Sequence, residues 1–79
     1  MAQIDILNFK KVEKERNNVH EKVHGTYSVF EIEGKKYLQL DTFGRSNREL
    51  PGKLSQTIQL DKEAAQFLVG LLRENFDLD

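Results

Sequence analysis

At Leu60 the spacing of apolar residues changes from every second position to every third or fourth. That switch separates a strand-forming half from a helix-forming end and sets the fold class as α+β. On the helical side Ala64, Phe67, Leu68, Leu71, Leu72 and Phe76 follow the i, i+3, i+4, i+7 pattern of a one-sided helix. Asp61 is a capping residue, and Glu63 sits where the helix dipole favours a negative charge, so a helix is expected over 61–76. Gly70 in its interior either marks the close approach of another backbone or is a tolerated exposed glycine.

Before the switch, Thr26 to Ile32 is rich in aromatic and β-branched residues, Gly34 supplies a turn, and Lys36 to Phe43 alternates, together reading as a β-hairpin. Leu54 to Leu60 is a further strand. The alternation puts Leu38, Leu40, Leu54, Ile58 and Leu60 on one face, to be buried. Tyr37, Gln39, Asp41, Phe43, Thr57 and Gln59 fall on the other, which is polar with two aromatics. An antiparallel sheet commonly buries one face under a helix and leaves the other wet.

The charged segment from Lys10 to His24 reads in two ways. Asn17-Asn18 between Val12 and Val19 suits a hairpin turn, with strands near 4–15 and 19–32; Val12, Val19 and Val23 alternatively make a sparse helical stripe. The hairpin is the expectation adopted. The resulting architecture is an antiparallel sheet of about four strands followed by one C-terminal helix, in a single domain spanning 1–79.

A chain of 79 residues buries only about 60% of the surface its unfolded form exposes, and such folds usually need reinforcement. With no cysteine, disulfides and thiolate metal sites are impossible, so a homodimer is the reinforcement to expect. The lack of cysteine suits a reducing compartment. Met1-Ala2-Gln3-Ile4-Asp5 carries neither the basic nor the apolar region of a signal peptide, and a cytoplasmic location is the expectation.

A net charge of −1 argues against a globally basic protein, but the charge is uneven. Residues 1–60 hold ten Lys or Arg against eight Asp or Glu, whereas residues 61–79 hold two against five. A local basic face is therefore compatible with near neutrality.

Catalytic patterns are missing. His20 and His24 are spaced i, i+4, but their segment is assigned to a strand and two ligands make a weak site, so no metal is expected. Ser28, Ser46 and Ser55 lie in no nucleophile-elbow setting, and no glycine-rich phosphate loop precedes the helix. Glu31 and Glu33 read as an exposed acidic edge. The expectation is a non-enzymatic module without a cofactor.

The positive signal is basic and aromatic. Lys35, Lys36, Arg45, Arg48 and Lys53 can meet phosphates, and Tyr37 and Phe43 offer flat faces for bases. Sequence-tolerant binding of single strands uses this pairing of charge with π-surface. The same residues can instead be solubilising lysines and aromatics covering a sheet edge.

Glu33-Gly34-Lys35-Lys36-Tyr37-Leu38-Gln39-Leu40-Asp41-Thr42-Phe43, a polar loop, Pro51-Gly52-Lys53, and then Thr57-Ile58-Gln59-Leu60-Asp61-Lys62-Glu63-Ala64-Ala65 with a Leu-rich helix follow in order. Over roughly residues 26–72 this run resembles the single-stranded-DNA-binding domain of the positive cofactor four family of transcriptional coactivators. The resemblance implies a curved four-stranded antiparallel sheet with one helix, a dimer formed through helices and sheets, and a groove for unwound DNA. It carries Lys35, Lys36 and Lys53 over as backbone contacts. The chain departs from the family at Gln39-Leu40-Asp41, where members usually place an arginine, and in the longer step Leu54-Ser55-Gln56-Thr57 after Lys53. The alternative reading is a small protein-interaction module, an accessory subunit, inhibitor or phage or plasmid factor, which the near-neutral charge and acidic tail also suit.

Overall fold

A computed structural model describes residues 1–44 and 52–79. It contains four strands, β1 (Ala2–Gln3), β2 (Gly25–Ile32), β3 (Lys35–Phe43) and β4 (Leu54–Leu60), and then helix α1 (Lys62–Phe76); a single 3-10 turn spans Ile6–Asn8. The α+β class and the order of four strands followed by one helix are as expected. The sheet order is β1-β4-β3-β2. β2, β3 and β4 pair antiparallel, but β1 joins β4 in parallel, so the sheet is mixed rather than wholly antiparallel.

The first strand is also not the one expected. No strand forms over 4–15, and the second expected strand begins only at Gly25; the residues from Phe9 to His24 take neither the hairpin nor the helical form. Asp5 explains where the early strand ends. Its carboxylate accepts from the Leu7 amide at 3.0 Å and from Asn8 Nδ2 at 2.7 Å, which turns the chain off the sheet edge. Beyond Phe9 the side chains lack the alternating apolar residues a strand needs to bury one face. Val19 is fully exposed.

The β2–β3 hairpin is closed by Glu33 and Gly34, with φ of 51° and 79°. Two positive φ values in a two-residue loop make the turn whose twist matches that of its strands. Gly34 accepts this conformation freely, whereas Glu33 adopts it against its preference.

At the other end of β3 the pairing slips. Thr42 lies opposite Gln56 and Phe43 opposite Leu54, leaving Ser55 as an extra residue in β4. A bulge of this kind shifts every side chain beyond it to the opposite face. Leu54, expected on the buried face, therefore joins Phe43 on the polar one.

Asp61 caps α1 as expected, its carboxylate accepting from the Ala64 amide at 2.9 Å. At the C-terminal end Asp77 takes the left-handed conformation and its N–H bonds the Arg73 carbonyl. The helix meets the sheet along β3 and β4. Leu60 and Ala64, on either side of the cap, are the buried hydrophobic residues among those described. A Cβ at Gly70 would meet nothing within 4 Å, so that glycine is an exposed one with no neighbouring backbone to accommodate.

Candidate nucleic-acid interface

Strand register builds a face of three cross-strand rows on the side of the sheet away from Leu60. At the hairpin end Phe30 lies opposite Tyr37. Next, Ser28, Gln39, Gln59 and Gln3 run across all four strands, and then Thr26, Asp41 and Thr57 cross three. Phe43 and Leu54 close the far end.

The middle rows are tied together by side-chain hydrogen bonds. Gln59 Nε2 donates to Gln39 Oε1 at 2.8 Å, and Gln39 Nε2 donates to both oxygens of Asp41 at 3.1 and 3.2 Å. Thr57 Oγ1 donates to Asp41 Oδ1 at 2.5 Å. Every donor in this chain points toward the Asp41 carboxylate, which fixes the orientation of both amides. The Asp41 carboxylate thus serves an internal network. The half-buried network lies beside a shallow concavity of about 430 Å³ lined by Gln3, Gln39, Leu54, Thr57 and Gln59.

Aromatic rings flank the network. Phe30 and Tyr37 are stacked, with centroids 5.4 Å apart and planes 20° from parallel. His24 meets the Phe43 ring edge-on at 5.8 Å.

Of the expected site residues, Lys35, Tyr37 and Phe43 share this face, because alternate residues of β3 project the same way. Lys36 projects to the other face, opposite Glu31 in β2, and a cleft of about 600 Å³ at the start of α1 is lined by Gly34, Lys35, Lys36, Asp61, Lys62 and Glu63, so Lys35 at the hairpin end borders both. Lys53 sits at the opposite end of the sheet, where its carbonyl accepts from the Gly44 amide at 2.8 Å. Arg45 and Arg48 lie outside the described residues.

Phe30 was absent from the expected set. The two-residue turn at Glu33-Gly34 carried the signal, since closing it there pairs residue 32 with 35 and therefore 30 with 37. The Gln59–Gln39–Asp41–Thr57 chain had no local signal, because it depends on the register between β3 and β4.

His20 and His24 belong to the irregular segment, not to a strand. Among the described residues no cluster of three or more His, Asp or Glu is placed to hold a metal ion, and no helix is long and apolar enough to cross a membrane. No protein-family model, curated protein or solved structure matches this chain.

Proposed function

We propose that this chain is a non-enzymatic module that binds single-stranded nucleic acid, DNA in the first instance, on the face carrying Phe30, Tyr37, Gln39, Gln59 and Phe43. The observation that carries the reading is the combination on one sheet face of a stacked aromatic pair with a row of oriented amides and hydroxyls. Aromatic rings stack with any base, and amides and hydroxyls bond base edges that only an unpaired strand exposes. Lys35 at one end and Lys53 at the other supply backbone contacts. The length of β3 between them, roughly 27 Å at ~3.4 Å per residue, suits a strand laid along the face. Arg45 and Arg48, which follow β3 in the sequence, extend the basic set. The resemblance to the positive cofactor four family supports the same ligand, and a cytoplasmic role in transcription or genome maintenance fits it.

With few cations on the face, affinity depends on stacking as well as on phosphate contacts. Fluorescence anisotropy of a labelled single-stranded oligonucleotide and of its duplex, at low and moderate salt, tests this. Preference for the single strand, weakening as salt rises, is the expected result. No binding at low salt removes nucleic acid as the ligand.

The second reading, a protein-interaction module, is favoured by the outer edge of β2. This strand closes one side of the sheet, and its eight residues carry neither proline nor lysine, the usual guards of a free edge. A protein partner bound along it by main-chain hydrogen bonds would be retained at high salt, which separates the two readings.

A further inference from the structure

The hydrogen-bond chain on the polar face ends at a carboxylate, and a carboxylate only accepts. Gln39 Nε2 therefore faces Asp41, at 3.1 and 3.2 Å, and Gln39 Oε1 faces Gln59. Gln59 presents its own Nε2 to that oxygen at 2.8 Å, which leaves Gln59 Oε1 with no donor among the described residues. Thr57 gives its one hydroxyl hydrogen to Asp41 Oδ1 at 2.5 Å, so what remains of that hydroxyl is lone pairs. Turning either amide over would set oxygen against oxygen. A ligand meets the arrangement ready-made.

Gln39, Thr57 and Gln59 all line the concavity of about 430 Å³, together with Gln3 and Leu54. Asp41 is not part of that lining among the described residues, so its carboxylate orients the site from behind. The acceptors on offer are the Thr57 and Gln59 oxygens and the second lone pair of Gln39 Oε1, and they outnumber the N–H groups the two amides have left. Thr57 and Gln59 are alternate residues of β4, about 7 Å apart along the strand, so an amino group between them has a hydrogen for each. Leu54 adds an apolar wall for the flat side of a ring.

We infer that this concavity selects unpaired bases carrying an exocyclic amino group, cytosine and adenine before thymine and uracil. Thr57 Oγ1 and Gln59 Oε1 are the selecting atoms, and Asp41 is the residue that positions them. Cytosine and adenine present an NH₂ donor where thymine and uracil present a carbonyl oxygen. That carbonyl would face acceptor oxygens and leave both sides unpaired, which costs more than one hydrogen bond gains. The inference rests on the single-strand reading and adds to it a preference among bases.

Oligo-dC and oligo-dU of equal length, compared by fluorescence anisotropy near neutral pH, isolate the base edge. Both are pyrimidines on the same backbone and differ in their donor and acceptor pattern. Oligo-dC should bind about three- to tenfold more tightly, the worth of one hydrogen bond. Equal affinity, or tighter binding of oligo-dU, overturns the inference and leaves the single-strand reading in place; no binding of either overturns both. Gln59→Met removes the acceptor and Asp41→Asn the carboxylate that orients it, and each should bring the ratio of the two affinities close to one. The ratio is taken within one protein, so a general loss of stability does not move it. A ratio unchanged in either variant overturns the part assigned to that residue.

Discussion

Phe30 and Tyr37 stack face to face across the β2–β3 hairpin, 5.4 Å between centroids, on the same side of the sheet as the amide row of Gln39 and Gln59. The stack places two rings at the edge of a polar surface, where a flat ligand can extend it without disturbing the hydrogen-bond chain. Truncating either ring should cost ~1–3 kcal/mol of affinity for a single strand, the usual worth of one base stack. Anisotropy titrations of Phe30→Ala and Tyr37→Ala check this, with circular dichroism confirming that each remains folded. Unchanged affinity in both would move the ligand off this face.

Lys35 and Lys36 are neighbours in sequence but project to opposite sides of the sheet. Lys35→Glu should therefore weaken single-strand binding and lower the salt dependence by roughly 0.7 in logarithmic slope, the loss of one phosphate contact. Lys36→Glu, facing Glu31 and the start of α1, should leave affinity within about twofold. Equal losses for the two variants would contradict the assigned face.

Gly70 lies in the interior of α1 with open space where a Cβ would be. Gly70→Ala should stabilise the fold by about 1 kcal/mol through backbone entropy alone. For a chain of this size that is a rise in Tm of about 4–8 °C. Thermal melts of both proteins at one protein concentration measure it, and a fall would mean that something occupies the space.

Glu33 holds a φ of 51° in the hairpin turn. Asparagine tolerates that conformation far better, and Asn-Gly is the favoured pair for such a turn. Glu33→Asn should raise stability by ~0.5–1 kcal/mol and leave single-strand affinity unchanged, since the turn lies beyond the stacked rings. Denaturant titration gives the first quantity. A lowered midpoint would show that the Glu33 side chain makes a contact of greater value than the turn geometry.

Local chemistry determined the elements whose partners lie close in the chain. Asp61 and the 3.6-residue stripe after it are a cap and a helix because the groups they satisfy lie within one or two turns. Alternation in 36–43 and 54–60, and the turn at Glu33-Gly34, likewise suffice for strands and a hairpin. Tertiary structure alone decided the rest. The bulge at Ser55 moved Leu54 to the polar face, because register between β3 and β4 is set by pairing along their whole length rather than by parity within one strand. β1 formed at Ala2–Gln3 because the open edge of β4 offers backbone partners there, including the Gln59 carbonyl that accepts from the Ile4 amide at 3.0 Å. Alternation of side chains specifies that a strand has two faces, but how far each is covered depends on how α1 packs, and here Leu40 and Ile58 stay 40% exposed and Tyr27 79%.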